Sequence, residues 1–328
     1  MSKKKIAFVT GGFSGEAEVS YNSAKTILAN IDTDKFVPYT IDIRKDGWWY
    51  LSEGGGESPV DKNDFSITAD GEKVQFDGAL IGIHGTPGED GKLQSYFDLI
   101  GLPYSTCDAS VSALTFNKRF TVAVAAFSGI SVSKSLHFYR GDQINIPDIS
   151  SGLRFPLFIK PANGGSSIGM SKVPDAAGIA PALEKAFAED SQVLIEEFIE
   201  GREFTVGVCR IKGEITTLPI TEVISENYFF DYEAKYHGKS REITPAEVEE
   251  AVAEQIRAEA KKIYRVFNCR GVIRIDFIYN SAAGRPYMLE INTVPGQSAA
   301  SVVPQQVRAL GWSLKDFYTG LIEQALNG

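Results

Sequence analysis

The sequence predicts an α/β protein made of two or three domains. Its 328 residues are too many for one ordinary hydrophobic core. Short apolar runs typical of buried strands occur at 5–10, 36–43 and 79–83. Glycine-containing turns follow the first and third runs and lead into helical patterns, which is the alternation expected of an open α/β sheet.

Composition and charge exclude several classes of protein. With 43% hydrophobic and 23% charged residues, the chain has the balance of a globular protein. Its net charge of −9 and pI near 5.1 argue against a nucleic-acid partner. We see neither a membrane-spanning apolar run nor a signal peptide, and the three scattered cysteines indicate no disulfide framework. We therefore expect a cytoplasmic protein that contacts no membrane.

The first strand leads into a glycine turn and then a helix. Gly11 and Gly12 end the strand, but the fingerprint G-x-G-x-x-G of dinucleotide-binding folds is missing. Glu16 and Glu18 occupy the turn, where they would repel a pyrophosphate and suit a ligand ammonium instead. The alternative for both carboxylates is simple complementation of the helix dipole.

The third strand is followed by the loop 84–91, which contains His84 and Glu89. Open α/β sheets bind ligands at the carboxyl ends of their strands, so both residues are site candidates. The alternative is an ordinary turn, since the loop is rich in Gly, Pro and Asp. We expect the first domain to end near Leu114.

The middle of the chain predicts a phosphate-binding loop. A helix at about 117–128 and a strand at 155–161 precede a stretch with glycines at 164, 165 and 169 and hydroxyls at 166 and 167. Such a loop can cover phosphates with backbone N–H groups, and Lys160 could pair with the phosphate oxygens. No Walker A sequence is present, and a flexible hairpin is the alternative.

Two further strands are predicted at 192–199 and 201–208. Phe198 and Ile199 could form an apolar slot for a planar base, and Glu203 could accept a ribose hydroxyl. Packing is the competing explanation for the apolar pair. The aromatic and charged stretch 228–238 has no clean period, so we expect a loop that folds over a site. Thr244, Pro245 and Glu247 predict a capping box at the start of the next helix.

The stretch 270–296 predicts a β-hairpin with a metal site. Glu290 and Asn292 are two residues apart on one strand, so their side chains share a face, and Asp276 on the partner strand can oppose them. Two carboxylates and an amide oxygen suit Mg²⁺ shared with substrate phosphates. Arg274 lies on the same face as Asp276. The alternative is a polar face that meets solvent.

Taken together, these motifs resemble the D-alanine–D-alanine ligase family of the ATP-grasp superfamily. The match covers nearly the whole chain, in order, and its motifs are Gly-Gly-x-Ser-x-Glu-x-Glu-Val-Ser (11–20), His-Gly-x-x-Gly-Glu-Asp-Gly (84–91), Lys118, Lys-Pro…Gly-Ser-Ser-x-Gly (160–169), Glu-Gly-Arg-Glu-Phe-Thr-Val (200–206), Asp-Tyr-Glu-Ala-Lys-Tyr (231–236), Arg-x-Asp-Phe (274–277) and Glu-Ile-Asn-Thr-x-Pro-Gly (290–296).

The resemblance implies a three-domain ATP-grasp architecture. Residues 1–114 would form an N-terminal parallel-sheet domain, 115–192 a central subdomain with the phosphate lid, and 193–328 a C-terminal subdomain with the metal and oxyanion site. It also implies ATP-dependent joining of two D-alanines through an acyl phosphate, for peptidoglycan synthesis. ATP and two Mg²⁺ or Mn²⁺ ions would be required, and the protein would be a homodimer.

The resemblance also assigns roles to residues. Glu16, Ser166 and Tyr236 would form a hydrogen-bonded set around the first D-alanine, with His84 nearby, and Arg274 and the Gly296 N–H would stabilise the oxyanion. The metal ligands would be Asp276, Glu290 and Asn292, and the second substrate would meet Ser301 and Val302. The nucleotide site would comprise Lys118, Lys160, Ser167, Glu196, Phe198, Ile199, Glu203 and Lys235.

Second-substrate choice is the least determined feature. Relatives that make the D-alanyl-D-lactate ester commonly carry His at the position of Tyr236, so Tyr favours the dipeptide. Gln297 stands where the family commonly has Met, and Gln297 and Ala300 are expected near the second-substrate pocket. A ligase for D-lactate or another D-amino acid is therefore the alternative, and a catalytically silent nucleotide-binding module is a third possibility, disfavoured by the intact hairpin residues.

Overall fold

The computed structural model describes residues 2–165, 168–225 and 240–327. Within these ranges the chain forms three main sheets in sequence order, each with helices packed against it, so the predicted α/β class is confirmed. One small hairpin of two strands stands apart from the main sheets.

The N-terminal sheet is built around two parallel pairings. Its strands are β1 (Lys4–Gly11), β2 (Phe36–Arg44), β3 (Gly47–Leu51), β4 (Glu57–Pro59) and β7 (Gly78–Ile81), in the order β4-β3-β2-β1-β7. β1 pairs in parallel with β2 and β7, while β3 and β4 add antiparallel edges. The carboxyl ends of β1 and β7 therefore lie side by side, which brings the turn at Gly11 next to the loop at His84.

The remaining N-terminal elements cover this sheet. They are α1 (Ala17–Leu28), the hairpin β5 (Ile67–Ala69) with β6 (Glu72–Val74), and α2 (Lys92–Ile100). α3 (Ala109–Phe116) follows them and packs Val111 into a different core, together with Phe204 and Ile275. Phe65 and Phe97 pack edge to face at 4.8 Å between ring centroids, in an aromatic cluster that fills one side of the sheet.

The central sheet is antiparallel and has one covered face. Its order is β10-β9-β11-β8, from β8 (Ser135–Tyr139), β9 (Leu157–Pro161), β10 (Ser171–Val173) and β11 (Gln192–Glu197). α4 (Lys118–Phe127), α5 (Ile146–Gly152) and α6 (Ile179–Glu189) complete this segment. Ile159 and Ile195 pack with α6, whereas Lys160 and Glu196 alternate onto the opposite face.

The C-terminal sheet carries the predicted hairpin. Its strands are β12 (Arg202–Ile211), β13 (Glu214–Thr217), β14 (Thr221–Ser225), β15 (Ser240–Ile243), β16 (Val272–Asn280) and β17 (Arg285–Asn292). The order is β15-β14-β12-β16-β17, and β13 pairs with β12. Phe204, Ile275 and Phe277 face α7 (Glu250–Val266) in a buried core, which leaves the other face of the hairpin for polar residues.

The last two helices of the described chain pack against its first strand. α8 (Val302–Ala309) and α9 (Leu314–Asn327) pack Val307, Phe317 and Leu321 into one core with Ile6 and Phe8 of β1. The C-terminus of the chain therefore completes the hydrophobic core of the N-terminal sheet.

The predicted capping box at Thr244 is wrong. Helix α7 begins at Glu250, five residues after Pro245. The Thr244 hydroxyl lies 2.6 Å from the Thr221 hydroxyl on β14 and does not cap the helix. The Thr244 hydroxyl is hydrogen-bonded to a strand residue, and a local sequence pattern cannot reveal such a partner.

The predicted domain boundary at 192/193 lies at the first residue of β11. Because β11 pairs with β8 and β9 along its whole length, we propose that the central segment extends to Glu197. None of the helices in the described part of the chain combines the length and apolarity needed to cross a membrane.

We predict that Phe277→Ala lowers the free energy of unfolding by about 3–5 kcal/mol, because it leaves a cavity beneath the hairpin. Denaturant unfolding followed by circular dichroism would measure the change. Phe277 is fully buried, whereas Phe127 is 94% exposed, so Phe127→Ala is the matched control. A loss for Phe277→Ala no larger than that of the control would contradict the core assignment.

Candidate active site

Four polar residues converge on one face of the β16–β17 hairpin. Asp276 is directly opposite Glu290, and Arg274 is directly opposite Asn292. The strand register shifts between Asp276 and Phe277, because Phe277 pairs with Met288 and Leu289 is left without a partner in the ladder. The irregularity keeps Glu290 and Asn292 on the face of Arg274 and Asp276, as the sequence predicted.

Asp276 accepts hydrogen bonds from three other side chains. Arg274 donates to both of its carboxylate oxygens, from Nε and from one terminal nitrogen, at 2.8 Å each. Asn292 Nδ2 donates to Asp276 Oδ2 at 3.2 Å, and the Thr205 hydroxyl donates to Oδ1. Thr205 was not predicted, although a buried hydroxyl on the same strand as Glu203 is the pattern that could have identified it.

The donor set fits a hard divalent ion. Two carboxylates and an amide on paired strands are oxygen ligands of the kind that Mg²⁺ and Mn²⁺ bind when substrate phosphates and water complete the shell. Among the described residues no group of three His, Cys, Asp or Glu side chains converges into a metal site. Asp276, Glu290 and Asn292 supply only three side chains, so phosphate oxygens and water would have to complete the coordination of any ion held here.

Arg274 is the main positive charge of this region. Burial acts to lower the pKa of its guanidinium, but the charge and hydrogen bonds of Asp276 outweigh burial, and Glu290 and Glu89 add to the effect. The pKa consequently lies above its ordinary value, and the side chain stays charged at every accessible pH. A fixed guanidinium is suited to stabilise an oxyanion.

Glu16 lies between two glycine-containing loops. A Cβ on Gly85 would approach its Oε2 to 2.5 Å, and a Cβ on Gly165 would approach its Oε1 to 2.5 Å. Glycine at these two positions leaves the space that the Glu16 carboxylate occupies. The turn after β1, the loop after β7 and the glycine-rich loop after β9 therefore meet at one carboxylate.

His84 is buried, and through Ser23 it connects helix α1 with the loop at 294–297. The Ser23 hydroxyl accepts from the Gln297 N–H at 3.0 Å and lies 2.9 Å from His84 Nε2. The His84 N–H donates to the Ser20 hydroxyl at 2.9 Å. Burial lowers the pKa of His84 to about 4, a hydrogen bond with the Val294 backbone opposes this, and Arg274 adds to the lowering. The ring is therefore neutral at neutral pH, and it holds α1 against the 294–297 loop.

Glu89 joins the same two loops by a different route. Its carboxylate accepts from the Gly85 N–H at 2.7 Å and from the Val294 N–H at 3.1 Å. Desolvation and the nearby charge of Glu16 raise the pKa of Glu89 to about 7, against the opposing effects of these hydrogen bonds and Arg274.

Gly296 and Ser301 are neighbours in space. A Cβ on Gly296 would approach the Ser301 hydroxyl oxygen to 2.9 Å, and Val302 begins helix α8 directly afterwards. The Ser301 hydroxyl accepts from the Ser298 N–H at 3.0 Å. The predicted oxyanion donor and the predicted second-substrate residues thus lie in one corner. The Gln297 side chain is buried and accepts from the Tyr318 hydroxyl at 3.1 Å.

Those predicted nucleotide residues that the structure describes lie on the open face of the central sheet and at its junction with the C-terminal sheet. Lys160 forms an ion pair with Glu196, and Lys118 Nζ donates to the Gly164 carbonyl at 2.6 Å. The Phe198 ring lies 5.9 Å from that of Phe158. Ile199 lines a cleft of about 770 Å³ together with Phe155 and Tyr287, and Glu203 pairs with Ile278 beside it.

Four predicted residues, Ser166, Ser167, Lys235 and Tyr236, lie outside the described residues. Of the residues that are described, the sequence did not single out Ser20, Ser23, Thr205, Gln306 or Tyr318. Ser20 and Ser23 lie on the buried face of α1 beside Ala24 and Ile27. Polar residues at buried helical positions were the available signal.

Comparison with known proteins gives a match over nearly the whole chain. The family described as D-ala D-ala ligase N-terminus matches residues 5–107, and that described as D-ala D-ala ligase C-terminus matches residues 118–323. The D-alanine–D-alanine ligase of Flavobacterium johnsoniae is 46% identical over 98% of this chain and 99% of its own.

Two solved structures extend the comparison. The VanG D-Ala:D-Ser ligase from Enterococcus faecalis has a TM-score of 0.89 and 32% identity, covering 99% of this chain and 100% of its own. A D-alanine–D-alanine ligase from Bacillus anthracis complexed with ATP has a TM-score of 0.79 and 26% identity, covering 99% of this chain and 98% of its own.

We predict that Glu89→Gln makes stability rise more steeply between pH 4.5 and 6.5 than in the wild type. Glu89 keeps its proton to about pH 7 when folded but loses it near 4.5 when unfolded, so its contribution to stability falls as pH rises through this window. His84 has a folded pKa of about 4 and an unfolded value of 6.5, so its contribution rises with pH. Without Glu89 the contribution of His84 is no longer opposed, so the slope of stability against pH rises by up to about 1 kcal/mol per pH unit.

Denaturant unfolding at half-unit pH intervals would measure this slope. Glu53→Gln changes an exposed carboxylate and is the matched control, with a slope expected to equal that of the wild type. A Glu89→Gln slope equal to the control would contradict the assignment.

Proposed function

The chain belongs to the D-alanine–D-alanine ligase family, and from that premise we propose that it joins two D-alanines at the expense of ATP. The product, D-alanyl-D-alanine, would serve peptidoglycan precursor synthesis. The observation that carries the proposal is the polar face of the β16–β17 hairpin, where Arg274 and Asp276 are paired opposite Asn292 and Glu290.

The reaction has two steps. The carboxylate of the first D-alanine attacks the γ-phosphorus of ATP, and an acyl phosphate and ADP form. The amine of the second D-alanine then attacks the acyl carbon, and the tetrahedral intermediate collapses with release of phosphate. Charge must be neutralised in the first step and an oxyanion stabilised in the second.

The first substrate would be held at Glu16. A carboxylate between the loops at Gly85 and Gly165 is suited to bind the ammonium of D-alanine and so to orient its carboxylate towards the phosphates. His84, neutral at neutral pH, would keep the neighbouring loops in register. Ser166 and Tyr236 would complete this set.

The nucleotide would lie between the central and C-terminal sheets. Lys118, Lys160 and Lys235 would contact phosphates, and Ser167 would add a hydroxyl from the lid. Phe198 and Ile199 would pack against the base, and Glu196 and Glu203 would accept from its polar groups and from the ribose. Lys160 already pairs with Glu196, so nucleotide binding would compete with that ion pair or share it.

Asp276, Glu290 and Asn292 would hold two Mg²⁺ or Mn²⁺ ions together with the phosphates. When bound, the ions would neutralise charge on the transferring phosphoryl group. Arg274 and the Gly296 N–H would stabilise the oxyanion that forms in the second step. The second D-alanine would place its carboxylate at Ser301 and the backbone of Val302, beside Gly296.

A second candidate function is ligation of D-alanine to a different second substrate. The observation that favours it is the similarity to the VanG ligase, which joins D-alanine to D-serine. Tyr236 favours the dipeptide D-alanyl-D-alanine over the ester with D-lactate. The homodimer that the family resemblance implied and the cytoplasmic location expected from the composition stay predictions, which sedimentation and fractionation would test.

We predict ADP release that requires D-alanine, with D-alanyl-D-alanine as the main product. A coupled ADP assay with a panel of D- and L-amino acids and D-lactate, followed by mass spectrometry of the products, would test this. D-serine as the preferred second substrate would favour the alternative function. Release of ADP that is independent of any amino acid would contradict both.

We predict that Glu290→Gln lowers turnover by at least about a hundredfold at millimolar Mg²⁺, because the change removes a charged metal ligand. The amide keeps the size of the side chain, so unfolding should be little affected. Glu214→Gln, an exposed change on β13 of the same sheet, is the control and should keep wild-type turnover. A turnover rate close to that of the wild type for Glu290→Gln would contradict the assignment of this residue as a metal ligand.

A further inference from the structure

Gln306 is a fully buried glutamine on helix α8, and its amide is used completely. Its Oε1 accepts from the Gly207 N–H at 2.9 Å. Its Nε2 donates to the Thr205 carbonyl at 3.0 Å and to the Thr221 hydroxyl at 3.0 Å. These contacts tie one helix to two strands of the C-terminal sheet.

The amide fills a gap in the sheet. β12 pairs with β14 through Glu203–Thr205 and with β13 from Val208 onwards, so the ladder on this side is interrupted at residues 206 and 207. Gln306 bonds the Thr205 carbonyl and the Gly207 N–H on either side of Val206, as a peptide group of a neighbouring strand would, while the Gly207 carbonyl accepts from the Leu218 N–H. A Cβ on Gly207 would approach Oε1 to 2.7 Å, so the close fit requires glycine.

The other edge of the same short stretch faces the proposed catalytic hairpin. Thr205 pairs with Asp276, and Gly207 pairs with Arg274. The Thr205 hydroxyl also donates to Asp276. Gln306 therefore bonds the two residues of β12 that lie directly beside the oxyanion and metal residues.

Helix α8 and the loop before it are held together by two other side chains. Gln305 Nε2 donates to the Ala300 carbonyl at 2.7 Å, and Arg308 donates to the Ala299 carbonyl at 3.1 Å. Because the helix and the 299–301 loop are bonded to each other, a shift of the helix would carry Ser301 and Val302 with it.

We propose that Gln306 is a positioning residue that sets the distance between the second-substrate corner at Ser301 and the Arg274–Asp276 pair. The inference rests on the proposed function, since it concerns where the second amino acid is held. Attack by an amine requires the reacting atoms to be held within a few tenths of an ångström of a productive geometry. The buried amide of Gln306 would fix this distance through its hydrogen bonds, without contacting the substrate.

The test is Gln306→Met, which keeps the length of the side chain and removes its hydrogen bonds. We expect the second of the two Michaelis constants for D-alanine to rise by about ten- to a hundredfold. Formation of the acyl phosphate should stay within about threefold of the wild type, because that step involves only ATP and the first D-alanine.

Hydroxylamine separates the two steps. Its nitrogen attacks the acyl carbon, phosphate leaves with the electrons of the C–O bond, and the excess proton goes to solvent, so a hydroxamate accumulates without a second D-alanine. Wild-type hydroxamate formation with a raised second Michaelis constant supports the proposal. Equal losses in both assays, or an unchanged second constant, would overturn it. If the wild-type enzyme forms no hydroxamate with any D-amino acid, the proposed function itself would be refuted.

Two further variants keep the test decisive. Val307→Ala on the same helix also weakens the core, since Val307 is fully buried, but it leaves the amide contacts intact. Its melting temperature should fall while both Michaelis constants stay at wild-type values. Thr221→Val removes one of the three hydrogen bonds of Gln306, and we expect a rise of roughly two- to tenfold in the second constant. If Gln306→Met does not fold, an unchanged constant in Thr221→Val overturns the proposal.

Discussion

The guanidinium of Arg274 is the charge on which the rest of the site depends. It lies where two hairpin strands, a buried threonine and the loop after β7 come together, and its bidentate pair with Asp276 holds it there. Its charge lowers the pKa of His84 and opposes the rise in the pKa of Glu89 and of Glu242. A partly buried cation surrounded by carboxylates lets several acidic side chains share a small space, where they would otherwise repel one another.

The site is assembled from distant parts of the chain, and hydrogen bonds to backbone groups hold those parts together. Glu89 bonds the backbone of its own loop and that of Val294, while Ser23 bonds both His84 and Gln297. The bonds to the Val294 and Gln297 N–H groups join the N-terminal part of the chain to the loop that carries Gly296. Helix α9 reinforces the connection, since its apolar side chains share a core with β1. The N-terminal and C-terminal parts of the chain therefore each contribute residues to one site, and neither part contains the whole of it.

Glycines allow the loops to approach as closely as they do. Gly85 and Gly165 let two loops reach the Glu16 carboxylate, and Gly207 leaves room for the amide of Gln306. At each position a methyl group would come within about the length of a hydrogen bond of a polar side-chain atom. Polar contacts of this kind explain why glycine-containing turns coincide with the candidate functional residues.

The sequence by itself determined the α/β class and the hairpin face that bears Arg274, Asp276, Glu290 and Asn292. These features follow from alternation along a strand and from apolar periodicity, which are local properties of the chain. Only the tertiary structure decided that Thr205 bonds Asp276, that Thr244 bonds Thr221 instead of capping a helix, and that Gln306 completes an interrupted ladder. In each case a polar side chain bonds a group at least 23 residues away along the chain. No local pattern encodes such a partner, because the choice depends on which groups the folded backbone leaves without a hydrogen bond.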